Sequence, residues 1–232
     1  MAHLLQSHSN ADSGILKVND FEPYTDNAGT SVAIAGENFA VIASDTRLVQ
    51  GYNVLSREQS KLCRLNNKVY LATNGCWCDC LAFAKAMELK LRFYTFDHNK
   101  HLNASSAARL AANTLYSKRF FPYYVNLIVA GLDQDGKGVV YTYDPVGCCC
   151  PVKYDVGGAC TSFIYPFLDN QLNNCNDELK DFKPLTKERA VSLIHDSLSA
   201  AAERHLNIGD GIKVAVITSE GVEELDFTIR SD

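Results

Sequence analysis

The stretch Ala28-Gly29-Thr30-Ser31-Val32-Ala33-Ile34 sets the reading of this chain. From Thr30 onward its residues suit a pleated strand, in which neighbouring side chains point to opposite faces. Phe39-Ala40-Val41-Ile42-Ala43 supplies a hairpin partner across the turn Gly36-Glu37-Asn38. The motif Asp45-Thr46-Arg47 follows at once. Counting from Asp45, Gly29 stands sixteen residues before it and Lys61 sixteen residues after it.

Outward from this hairpin the pattern continues with strands over 61–65 and 68–73 around Asn66-Asn67. A helical region with Leu81, Ala84, Glu88 and Leu91 in a stripe comes next, and Asn103 caps a second helix through Ala107, Leu110, Ala111, Thr114 and Leu115. Residues 125–131 and 138–143 form a hairpin around Asp133-Gln134-Asp135-Gly136, and one more strand runs near 152–156. A short helix covers 162–172, with Pro166 as an expected kink. A longer helix starts at Thr186, which acts as N-cap, with Glu188 in the first turn and Val191, Ile194, Leu198 and Ala202 at helical spacing. Residues 212–218 and 222–228 close the chain as a hairpin. Strands, helix pair, strands, helices, strands is not the alternating order of a doubly wound parallel sheet. It predicts an α+β domain of antiparallel sheets enclosed by helices, without internal repeat, and periodicity alone leaves the number of layers open.

The segment 28–34 with Asp45, Arg47 and Lys61 resembles the opening of a proteasome β subunit whose nucleophile is missing. The resemblance covers nearly all of the chain after residue 20. It is carried further by Asp20-Phe21-Glu22-Pro23-Tyr24-Thr25-Asp26-Asn27, by Arg119-Phe120-Phe121-Pro122-Tyr123-Tyr124-Val125, by Gly131-Leu132-Asp133 with Gly136-Lys137-Gly138, by Tyr143-Asp144-Pro145-Val146-Gly147 and by Pro166-Phe167-Leu168-Asp169-Asn170-Gln171. It implies the four-layer αββα sandwich of N-terminal nucleophile hydrolases, two antiparallel sheets flanked by helices. It also implies residues 1–20 as a short propeptide or N-terminal extension, trimmed near Asp20 or Phe21 or left in place, and 21–232 as a single domain.

Active members of this family begin with a threonine whose hydroxyl attacks the peptide while its own α-amino group takes the proton. That amine titrates at about 7.7–8.0, near the ideal for a base at neutral pH, but it exists only once the preceding bond is cut. Gly29 occupies the threonine's place by register, and with no side-chain oxygen it drives neither step. Thr30 is one residue out of phase, so its hydroxyl is aimed away from Lys61. Ser31 faces correctly but lies two residues, roughly 6.5 Å, too deep along the strand. An active threonine or serine hydrolase using Thr30 or Ser31 is the alternative reading.

The resemblance carries Asp45 and Lys61 onto the acid and lysine of the active pocket, with Arg47 and Thr30 beside them, and Gly75 onto the backbone donor of the oxyanion hole. It places Gly158, His205 and Ile208 where active members keep a serine, an aspartate and a second serine in support of the threonine. The implied function is a non-catalytic β subunit of the 20S core in ubiquitin- and ATP-dependent protein degradation. That subunit would hold the sixth β position, between its fifth- and seventh-position neighbours, against the α ring and the opposing β ring, in cytoplasm and nucleus.

Bulk composition narrows the field. The chain has 232 residues, 47% hydrophobic and 21% charged, enough for one sizeable core. A net charge of −5 and no run of Lys and Arg interleaved with aromatics argue against nucleic acid as a partner. Residues 1–20 are polar, without the apolar stretch of a signal peptide, and no later segment suggests a membrane span. Nine cysteines, an odd number in clusters, fit reduced thiols better than a secreted disulfide framework. Neither Cys76, Cys78 and Cys80 around Trp77 nor Cys148-Cys149-Cys150 has the two-residue gap of a zinc grip, so no metal and no cofactor is expected. The run Phe120-Phe121-Pro122-Tyr123-Tyr124 is too bulky to turn wholly inward on one strand, which points to cover by another chain.

Overall fold

The alternation at Thr30–Ile34 and the apolar run at 39–43 do build the central hairpin of a sheet. In the computed structural model, which describes residues 22–173 and 185–231, β1 (Thr30–Ala35) pairs antiparallel with β2 (Phe39–Asp45), with Val32 opposite Ala43. The strands that follow are β3 (Leu48–Gln50), β4 (Asn53–Ser56), β5 (Leu62–Asn66) and β6 (Val69–Gly75). Two helices come next, α1 (Trp77–His98) and α2 (Ala104–Tyr116). Four more strands, β7 (Val125–Leu132), β8 (Gly138–Tyr143), β9 (Cys149–Val152) and β10 (Tyr154–Gly158), precede α3 (Thr161–Leu172) and α4 (Lys187–Ala202). The hairpin β11 (Gly211–Thr218) and β12 (Val222–Thr228) ends the described fold.

Ten of the strands form two five-stranded sheets, ordered β10-β1-β2-β11-β12 and β5-β6-β7-β8-β9, and every pairing is antiparallel. Period-two alternation gives each sheet two apolar faces, so three layers of core result. Ala33, Ile42, Tyr70, Ile128, Val140 and Ile217 pack between the sheets. The outer face of the first sheet, through Val32, Val41 and Val214, meets Ile164 of α3 and Ile194 and Leu198 of α4. The outer face of the second, through Leu71, Leu127 and Val129, meets Phe83 and Met87 of α1 and Ala111 and Leu115 of α2. The four-layer αββα sandwich is therefore borne out.

Several local expectations need correction. The single strand expected near 152–156 is two strands in different sheets, because the chain crosses from β9 to β10 at Lys153. The small sheet of β3 and β4 has no counterpart in the expected pattern; its hairpin is short and β4 is largely exposed, so hydrophobic patterning carries little trace of it. The buried stripe of α1 is Cys80, Phe83, Met87 and Leu91, one residue out of phase with Leu81, Ala84 and Glu88. Leu89, Phe93 and Phe96 are exposed on the same helix, so apolar residues surround it and hide its inner face. On α4 the buried face adds Ala190, Leu193, Ser197 and Ala201, while Val191 and Ala202 pack only partly. The aromatic run 120–124 belongs to the turn between α2 and β7 rather than to a strand, and Tyr123 turns inward against Phe83.

Helix ends follow capping chemistry where the sequence offers it. Asn103 accepts the Ser106 N–H at 2.9 Å and Thr186 accepts that of Arg189 at 3.2 Å. Pro166 lies inside α3, which continues through it.

Ile42 is fully buried where the two sheets face each other. Ile42→Ala is expected to cost about 2–5 kcal/mol in urea unfolding. Leu89→Ala, on the exposed face of α1, is expected to stay within about 0.5 kcal/mol.

Candidate functional site

The end of β2, the start of β1 and the residue just before β5 converge on one buried charge pair. Lys61 Nζ stands 3.0 Å from Asp45 Oδ1, with side chains 1% and 0% exposed. The ammonium also donates to the Asp45 carbonyl at 3.1 Å and the Arg47 carbonyl at 2.6 Å. A lysine has three protons to donate, and these three acceptors take all of them. Asp45 Oδ1 in turn accepts the Thr30 N–H at 2.8 Å. Burial pushes the Asp45 carboxyl up from its ordinary value, while the Lys61 charge and the Thr30 N–H pull the other way.

Gly29 lies directly against this pair. A Cβ added to it would come within 2.2 Å of Lys61 Cε and 2.6 Å of Cδ, and its φ is +87°. The lysine's alkyl stem thus fills the space that a side chain at position 29 would need. On the other side, the Gly29 carbonyl accepts the Ala159 N–H at 2.9 Å, and a Cβ on Gly158 would stand 2.0 Å from that same oxygen. A serine at 158 does not fit this backbone.

The two hydroxyls nearest to Gly29 are committed elsewhere. Thr30 Oγ1 accepts the Cys160 N–H at 3.2 Å, toward α3, and Ser31 Oγ accepts from Asn74 Nδ2 at 2.5 Å. Both residues are fully buried. His205 lies beyond the end of α4, with its ring against Phe163 and its Nδ1 accepting the Asn207 N–H at 3.2 Å. Ile208 is buried in the core over the first sheet. Arg47 turns away from Lys61: its Nε donates to Asp210 Oδ2 at 2.8 Å, and Arg57 adds a bond to Asp210 Oδ1 at 2.6 Å.

Sequence reasoning missed the residue that ties the leading segment down. Asn27 donates its N–H to the Gly75 carbonyl at 2.9 Å and its Nδ2 to the Val49 carbonyl at 3.1 Å, and its Oδ1 accepts the Trp77 N–H at 2.9 Å. It therefore satisfies one of the free donors at the start of α1, where the N-cap residue Cys76 offers no side-chain bond. Just before it, Tyr24 stacks on Phe121 and gives its hydroxyl proton to the Pro122 carbonyl at 2.6 Å. An asparagine in a polar leader carries no periodic signal, and only its partners mark it. Asp210 escapes sequence reasoning for the same reason.

Between β5, β6 and α1 a cleft of about 370 Å³ opens beside Lys61, lined by Cys63, Thr73, Trp77, Cys80 and Leu81. Burial pushes the Cys63 thiol up and the Cys80 thiol to about 12, so neither supplies a thiolate at neutral pH. Among the described residues, no group of three or more His, Cys, Asp or Glu side chains is placed to hold a metal ion.

The family model for proteasome subunits matches residues 25–217. Proteasome subunit beta type-1 of Drosophila melanogaster is 44% identical over 219 residues, 94% of this chain and 93% of that one. Proteasome subunit beta type-6 of Saccharomyces cerevisiae is 41% identical over an alignment of 241 residues that covers both chains in full. Proteasome subunit beta type-1 of Arabidopsis thaliana is 38% identical over 217 residues, 92% of this chain and 97% of that one.

Removing one member of the charge pair leaves the other buried alone. Lys61→Ala is expected to cost about 3–5 kcal/mol in chemical denaturation. The Asp210 carboxyl feels burial that pushes it up, but the bonds and charges of Arg47 and Arg57 win and hold it below its usual value. A depressed carboxyl contributes stability that is complete above the unfolded value of about 3.9 and is lost as pH falls through the folded one. The stability difference between the wild type and Asp210→Asn is therefore expected to be full at neutral pH and to shrink below about pH 4.

Proposed function

The chain belongs to the proteasome subunit family as a β-type member, and from that premise we propose that it is a catalytically silent wall segment of the 20S core's proteolytic chamber. The observation that carries this reading is the filled space at Gly29. Without a side-chain oxygen there is nothing to attack a peptide bond, and the lysine that would support such an oxygen has its alkyl stem where a Cβ at position 29 would stand. All three of its protons are held by Asp45 and Arg47. The surroundings agree: Gly158 has no room for a side chain, His205 and Ile208 supply no acid or hydroxyl, and Asn27 ties the segment leading to Gly29 onto Gly75, Val49 and Trp77.

The competing reading, a hydrolase acting through Thr30 or Ser31, has the weaker support. It needs a freed amine beside an accessible hydroxyl, and both hydroxyls are buried with partners of their own. The contribution to proteolysis is then indirect. The subunit shapes the chamber and holds neighbouring active subunits in place.

In this reading the ring neighbours are the β subunits at the fifth and seventh positions, with further contacts to the α ring and to the opposing β ring, in cytoplasm and nucleus. The exposed aromatic Phe120, with Phe121 and Tyr124 beside Tyr24, and Phe163 with Leu206 near His205, are surfaces suited to such contacts. Trimming near Asp20 or Phe21 falls outside the described residues and belongs to the same proposal, as does the division into a 1–20 extension and a 21–232 domain.

Intact-mass measurement and N-terminal sequencing of the assembled chain, together with labelling by a peptide epoxyketone, test the silent reading. The expected result is a chain that starts before residue 29 and takes up no label. A chain that starts at Thr30 and carries the label overturns it.

A further inference from the structure

Outside the site, the described fold presents one pair of neighbouring exposed thiols. β9 is an edge strand of the second sheet, and it opens within the run Cys148-Cys149-Cys150. Its register against β8 sets Cys149 opposite Tyr143 and Cys150 opposite Thr142. Alternation then divides Cys149 from Cys150. Cys149 is half-buried on the helix-covered face with Tyr143, whereas Cys150 shares the other face with Val152. Cys148, two residues before Cys150, lies just ahead of the strand at the end of the turn, and both are exposed.

The turn before them is held in place. Asp144 accepts the Cys148 N–H at 2.7 Å and donates its own N–H to the Cys148 carbonyl at 3.2 Å. Pro151, next along the edge, has no N–H to offer a further strand. The two exposed thiols thus flank the start of a blocked edge. The Cys148 thiol is pushed up in pKa, chiefly by its neighbour Cys150 and then by Asp144.

We propose that Cys148 and Cys150 form a reversible dithiol–disulfide site that exchanges with small disulfides of the glutathione type, with Cys149 a bystander. The thiolate of one cysteine attacks a sulfur of oxidised glutathione, forming a mixed disulfide and releasing one reduced glutathione. The second cysteine's thiolate attacks the protein sulfur of that mixed disulfide, closes the Cys148–Cys150 bond and releases the second. Two electrons and two protons pass from the pair to one molecule of oxidised glutathione. Side by side on a strand, two such residues would hold their Cβ atoms roughly 6.5 Å apart, beyond the about 3.5–4.5 Å of a disulfide, but Cys148 lies just ahead of β9, in the turn, where the backbone is not bound to the strand's spacing. Closure therefore draws the turn at Cys148 toward Cys150, and a disulfide strained in this way is readily reduced. The pair responds to a change in thiol balance instead of acting as a permanent staple.

The test is peptide mapping by mass spectrometry of the assembled complex, and in parallel of the isolated chain, after exposure to oxidised glutathione and blocking of free thiols. The expected product links Cys148 to Cys150, leaves Cys149 free for the blocking reagent and disappears on reduction. In Cys150→Ser the link is lost and Cys148 stops at the mixed disulfide with glutathione. Separate glutathione adducts on Cys148 and Cys150 without a link, a link that includes Cys149, or two unmodified thiols in both preparations overturn the proposal.

Discussion

The Lys61 ammonium, buried and bonded at once to the Asp45 carboxylate, the Asp45 carbonyl and the Arg47 carbonyl, is the contact on which the local structure turns. A charge taken out of water is tolerated only when its protons all find acceptors. That requirement dictates the path of the chain from β2 into β3, because two of the three acceptors are backbone carbonyls at its corner. It also dictates the residue opposite. The lysine stem crosses the space in front of position 29, and a glycine there leaves it unobstructed.

Around this contact the rest of the site has a structural logic. Asp45 bonds the Thr30 N–H and so sets the start of β1 against the end of β2. Arg47, facing the other way, binds Asp210 and anchors the approach to β11. Asn27 ties the incoming segment to Gly75, Val49 and Trp77, linking β6, β3 and α1. Asp45, Lys61, Arg47 and Asn27 are all fasteners between elements. Buried polarity of this kind positions backbone.

Much of the fold was legible in the residues, for a physical reason. Strands such as Val125–Leu132 and Val222–Thr228 are bounded by turn residues and patterned by burial, and the N-caps Asn103 and Thr186 announce their helices. Legibility failed where no face is one-sided. The long helix α1 carries exposed Leu89, Phe93 and Phe96 as well as buried Phe83 and Met87. The break at Lys153 between β9 and β10 has no turn residue to mark it. At the site, spacing brought Gly29, Asp45 and Lys61 together, since their register survives any change of side chain. Asn27, Asn74 and Asp210 escaped notice because a polar residue's partners lie far along the chain, where local pattern has no hold.

On the proposal of a silent subunit, the lysine's occupation of the space at position 29 means that restoring a hydroxyl alone does not restore a protease. Gly29→Thr, assembled into the core and examined for cleavage of the peptide bond that follows Ala28, measures this directly. The predicted result is an uncleaved bond and peptide hydrolysis no greater than in the unmodified assembly. Self-cleavage that exposes the introduced threonine, with added turnover that an epoxyketone abolishes, would contradict it.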